Sequence, residues 1–231
     1  MSGAAQSIRW EISAFALAAG LGMGMPAVAG EMAFTVTIEQ LTTEETLKLP
    51  DGSATRAPLS PGAAVVFSGA NPLLTVGASA SSGLQRQAEA GQPEDLLAAM
   101  EAADGVSTAV MFDRTDTLTV MAKPGDMLTF ATMFGQSNDC FYAPNGGEIR
   151  LFDRDGRPIM GDRVIEVVLY DAGTEVNQVP GVGPDQGPRQ DPNSWRQGEL
   201  EHATVQPVRD TFACPPVGEV IRVTVSAGKS A

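Results

Sequence analysis

The chain is poor in the residues that most enzymes and metal centres use. It has one histidine, His202, and two cysteines, Cys140 and Cys214. These cannot complete a four-ligand structural zinc site. A Ser-His-Asp triad would have to use His202, yet the chain has no Gly-x-Ser-x-Gly elbow. Flanked by Glu199, Glu201 and Thr204, His202 reads as a surface residue. Beyond Trp10, only Trp195, Tyr142 and Tyr170 are available as sugar platforms beside a paired-carboxylate glycosidase site. Basic residues are also scarce: 15 Lys and Arg stand against 28 Asp and Glu, a net charge of −13. That deficit speaks against nucleic acid, whose phosphates need Lys and Arg. It also speaks against binding anionic membrane surfaces without a bridging cation. No Asn has Ser or Thr two places on, so there is no N-glycosylation sequon.

Long apolar runs are absent after the first thirty residues. Within them, a polar stretch ends at Arg9, an apolar run extends from Ile12 to about Met25, and Pro26-Ala27-Val28-Ala29-Gly30 follows. Small residues before Gly30 suit a signal peptidase, so residues 1–29 read as a signal peptide. The run is short of the roughly 20 apolar residues that a spanning helix needs. The expectation is a periplasmic or secreted chain with no transmembrane segment once processed. In an oxidising compartment Cys140 and Cys214 are a candidate disulfide, closing a loop of about 75 residues and contributing about 4 kcal/mol in the entropic model. Two buried thiols are the alternative.

What the chain does contain is short β-type alternation between turn residues. Phe34, Val36 and Ile38 alternate with Thr35, Thr37 and Glu39. Residues 63–67 form an apolar run suited to a buried strand, and 117–122 alternate Thr with apolar residues before the turn Pro124-Gly125-Asp126. Residues 127–134 are apolar on both faces, as in a central strand. Residues 148–152, 164–170 and 219–225 bring the expected total to about seven strands, a β-sandwich. Residues 81–90 and 94–103 are rich in helix formers and are expected as two short helices, separated by Gly91-Gln92-Pro93. Residues 178–193 are rich in Pro and Gly, without apolar period, and read as a long loop.

Two acidic clusters are candidates for chemistry. Asp153-Arg154-Asp155-Gly156 lacks the further ligands of an EF-hand loop and reads as a hairpin turn. Asp171-Ala172-Gly173-Thr174-Glu175 follows an expected strand and places two carboxylates four residues apart around a glycine. Calcium takes six to eight oxygens, so a further carboxylate would have to arrive from elsewhere. Asp139, at the abrupt polar change after Phe134, is the candidate; solvated loop acids are the other reading.

The stretch Ala131-Thr132-Met133-Phe134-Gly135-Gln136-Ser137-Asn138-Asp139, with Asp171-Ala172-Gly173-Thr174-Glu175-Val176-Asn177, resembles the spondin domain family, particularly its bacterial members. The resemblance runs over residues 33–226. It implies a C2-like β-sandwich, so that with the two short helices read from composition the expected fold is all-β, a C2-like antiparallel β-sandwich with two short inserted helices. It further implies one Ca2+ held by loops at one end, with Asp139, Asp171 and Glu175 as the metal ligands and no catalysis. This chain departs from the family in having Cys140 where an aromatic is common, and Glu175 where animal members usually have Asp. A Cys140–Cys214 disulfide would brace the ion loop. The function expected is an exported, calcium-binding structural or adhesion-type module with an envelope or extracellular partner, protein or glycan. The alternative is a periplasmic hydrolase using the same acids.

Overall fold

The structure, a computed structural model, describes residues 30–191, 196–209 and 212–228. The expected signal peptide, residues 1–29, lies outside the described residues, as do Asn193 and Trp195. Strands β1 (Met32–Gln40), β2 (Leu47–Lys48), β3 (Ala54–Thr55) and β4 (Leu59–Phe67) precede helices α1 (Ser82–Ala90) and α2 (Glu94–Glu101). Then follow β5 (Val106–Phe112), β6 (Asp116–Ala122), β7 (Met127–Phe134), β8 (Cys140–Pro144), β9 (Ile149–Arg150), β10 (Asp162–Val164) and β11 (Val167–Asp171). The short β12 (Gln206–Pro207), helix α3 (Val217–Val220) and β13 (Ile221–Ala227) close the chain.

The strands form the expected antiparallel sandwich. One sheet has the order β10-β13-β1-β6; the other runs β12-β11-β8-β7-β4-β5, with β9 also on β7. The alternation in β1 fixes its register. Phe34, Val36 and Ile38 point inward and are wholly buried, pairing Val36 with Val225 on one side and Leu118 on the other. A one-residue slip would turn all three to solvent. Between the sheets they meet Val66, Phe130, Phe134 and Tyr142. Burying each such side chain contributes about 1.5–3 kcal/mol.

The larger sheet is covered on its second face as well. Val65, Phe67, Ala131, Phe141 and Tyr170 pack there against Leu84 and Ala88 of α1 and Leu96 and Met100 of α2. This two-sided cover explains why residues 63–67 of β4 are an apolar run and why β7 is apolar on both faces apart from the buried Thr129 and Thr132. Helix α1 starts at Ser81, whose Oγ accepts from Leu84 N at 3.2 Å, and ends at Gly91 with φ +67°. A side chain at Gly91 would be strained by that φ and would meet Ser60 Cβ at 2.6 Å. The Asp153–Gly156 segment is the expected turn: Asp153 Oδ1 accepts from Asp155 N and Arg157 N, and Phe152 bridges to Pro158.

The disulfide expectation is corrected. Cys140 and Cys214 are not bonded to each other. Cys140 is buried in β8, and its thiol donates to Asn177 Oδ1 at 3.4 Å. Cys214 packs against the same core from a separate loop. Burial, with Asp139 and Asp171 nearby, pushes the Cys140 thiol well above its ordinary pKa, which keeps it protonated.

Candidate functional site

The acids expected to form a site meet at one end of the larger sheet. Strand β7 ends at Phe134, and Ser137 Oγ both donates to Phe134 O (2.7 Å) and accepts from Cys140 N (3.1 Å). This local turn redirects the chain into β8 and leaves Asn138 and Asp139 at the corner. Strand β11 pairs with β8 so that Asp171 lies opposite Cys140, and Ala172 N donates to Asp139 O at 3.2 Å. Strand pairing thus brings Asp139 and Asp171 together across 32 positions of sequence.

Asp139 organises the following loop. Its Oδ2 accepts from Thr174 N (2.8 Å), Thr174 Oγ1 (3.0 Å) and Glu175 N (3.0 Å). Asp171 Oδ1 accepts from Gly173 N at 2.6 Å and Oδ2 from Asn177 Nδ2 at 2.7 Å. Gly173 sits at φ +69°, and a Cβ there would meet Ala203 C at 2.7 Å, so the turn requires glycine. The other Asp139 oxygen, Oδ1, is buried and has no partner. Burial first, and then the Asp171 charge, push the Asp139 carboxyl up to about 7 against the pull of its three donors.

Glu175 occupies a different setting. Its Oε1 accepts from Gly198 N at 2.9 Å, and its charged neighbours are Glu89 and Asp185. Burial is the main cause that raises its carboxyl to about 7; the Gly198 N–H opposes it and Glu89 adds to it. Glu175 Oε2, Glu89 Oε2 and Asn138 Nδ2 are all buried and make no hydrogen bond of normal geometry, although the Asn138 amide lies close enough to Glu175 to pull its carboxyl down. Glu175 Oε2 and Asn138 Nδ2 both face Gly198, where a Cβ would lie 2.4 Å from the first and 3.2 Å from the second. Glu89 and Asn138 were not among the expected site residues. Glu89 stands in a helix of polar pattern, yet it is wholly buried with its charge beside Glu175. A Glu before the helix-ending Gly91 is the one local signal.

The expected three acids therefore divide into an Asp139–Asp171 pair and Glu175 beside Glu89. Among the described residues, no three His, Cys, Asp or Glu side chains form a metal-holding group. The pair fits a cation through the unpartnered Asp139 Oδ1 and the adjacent Asp171 charge: a cation would satisfy the first and neutralise both. The loop beyond is held largely by amides, together with Asp185, whose Oδ2 accepts from Gln178 Nε2 at 2.6 Å. Gln186, wholly buried, accepts from Gly181 N (2.9 Å) and Arg189 Nη2 (2.6 Å) and donates to Val179 O (2.9 Å). The single histidine, His202, is exposed, as expected.

Against models of known protein families the chain has no match, and it has none among curated proteins.

Proposed function

We propose that this chain is an exported, calcium-binding, non-catalytic module of spondin type, whose ion is taken by the Asp139–Asp171 pair. The observation that carries the reading is Asp139 Oδ1, a carboxylate oxygen buried without a partner beside a second carboxylate. A divalent cation supplies the compensating charge there, with water completing the six to eight oxygens calcium takes. Glu175 serves in this reading to fasten the 171–177 loop to Gly198, and it becomes a ligand only if its carboxylate leaves Gly198. With two carboxylates the affinity belongs in the range of extracellular modules, about 10⁻⁴–10⁻³ M.

Burial favours binding over hydrolysis. Asp139 and Glu175 are both wholly buried, so neither reaches a glycoside or peptide bond in solution. The role of the ion is to stiffen the end of the sandwich that faces a protein or glycan partner in the envelope or outside the cell. Isothermal titration of the metal-free chain with calcium at pH 8 tests the reading. One ion per chain, lost in Asp171→Asn, is expected; undiminished binding in Asp171→Asn would reject this pair as the site.

A further inference from the structure

A second site lies at the other end of β8. Asp139 precedes the first residue of that strand and Pro144 is its last, so the two are about 17 Å apart at strand rise. Around Pro144 a cleft of about 480 Å³ opens between the sheets. Its volume lies within the range typical of small-molecule sites. Strand β9 of the larger sheet contributes Arg150, β10 of the smaller sheet contributes Arg163, and Glu148 and Glu166 line the same cleft.

The charges in this cleft are not neutralised by ion pairs. Arg56, Arg86, Arg114, Arg157 and Arg222 each make an ion pair with a carboxylate, at 3.7 Å or closer. Among the described residues, Arg150, Arg163, Glu148 and Glu166 make none within 4.0 Å. The Arg163 guanidinium is positioned by a 2.8 Å hydrogen bond from Nη2 to Arg150 O, which ties the two sheets together at this point. Its Nε is buried and has no acceptor. Burial also lowers the Arg163 pKa, the mark of a charge without compensation. Glu148 and Arg150 are two apart on one chain, so they share a face. The remaining wall is mostly apolar, with Pro144, Ile149, Ile165 and the exposed Val164 beside one polar residue, Asn145.

Guanidinium pairs bind carboxylates through forked hydrogen bonds. A lone dianion such as phosphate would be repelled by the two glutamates. A ligand carrying one carboxylate and one ammonium group on a short apolar body satisfies both signs and the wall. We propose that this cleft binds a small zwitterion of the α-amino-acid type, with its carboxylate on Arg150 and Arg163 and its ammonium on Glu148 and Glu166. This inference does not depend on the calcium reading.

The test is a ¹⁵N–¹H NMR titration of the folded chain with L-valine, and in parallel with sodium butyrate and isobutylamine, which each carry one of the two charges. Saturable shifts confined to amides of residues 148–150 and 163–166 are expected with L-valine. Losing one charge-assisted contact should weaken binding roughly tenfold or more, for either half-charged compound and for Arg163→Gln. Arg150→Gln provides a variant at an exposed position, for use if loss of the Arg163 bond to the Arg150 carbonyl unfolds the chain. Absence of saturation with L-valine, equal binding of butyrate, or unchanged affinity in Arg150→Gln would each overturn the proposal.

Discussion

Asp139→Asn removes a buried negative charge while keeping an oxygen where Thr174 N, Thr174 Oγ1 and Glu175 N donate. In the metal-free chain the carboxyl is pushed from 3.8 to about 7. Each unit corresponds to 1.36 kcal/mol, so ionised Asp139 costs the folded state of order 4 kcal/mol above pH 7. Between the unfolded and folded values the folded chain holds a proton that the unfolded chain has released. Stability therefore falls as pH rises from about 4 to about 7 and levels off beyond. Glu175, raised from 4.5 to about 7, adds to the fall with the same sign. The asparagine amide would also offer a donor to Asp171. In EDTA at pH 8, Asp139→Asn should therefore melt above the parent chain, by up to roughly 10 °C for a chain of this length. At pH 4 the advantage should shrink towards zero, because Asp139 is then protonated when folded. Circular dichroism melts at both pH values measure this. A variant that melts below the parent at pH 8, as far as it does at pH 4, would refute the buried-charge argument.

Three further outcomes follow from particular contacts. Tyr142 is wholly buried and its hydroxyl has no partner; Tyr142→Phe should raise stability by about 1 kcal/mol in urea unfolding, since an unsatisfied polar group is removed. Gly62 faces Ala131 O and Phe112 Cζ, each 2.4 Å from where a Cβ would sit. Gly62→Ala should lower stability by about 1–3 kcal/mol or more in the same assay, because backbone on β7 cannot yield as a flexible side chain would. Thiol titration of the unreduced, denatured protein should find both Cys140 and Cys214 reactive; native Cys140 should react far more slowly than when unfolded, given its burial and raised pKa.

The parts of the fold that were legible in the sequence are those where the environment repeats along the chain. Phe34, Val36 and Ile38 see one core and alternate; β4 and β7 are buried on both faces and read as apolar runs. Helices α1 and α2 followed from composition and the Gly-Gln-Pro break. Strand β5 was missed because it is an edge strand, half-exposed on both faces, and carries no clear period. Strand β8 was not among the expected strands, because it follows a polar corner and ends in Pro144, yet all five residues are buried. Residues 164–170 were read as one strand. In the structure Val164 pairs with Thr224 in one sheet and Val167 with Pro144 in the other. A strand that changes sheets leaves no mark on local periodicity. Asp139 and Asp171 were identifiable because each adjoins the end of an apolar strand. The division between that pair and Glu175 depends on where Gly198 and Glu89 return in space, which no local pattern encodes.

The most direct test of the calcium reading is the melting midpoint of the parent chain at pH 8, in EDTA and in calcium at about 100 times the dissociation constant. Binding to the folded state alone should stabilise it by about 2.7 kcal/mol, several degrees for a domain of this size. That rise is expected in the parent chain, and its loss in both Asp139→Asn and Asp171→Asn. An unchanged midpoint, or a rise that persists in both variants, would contradict it.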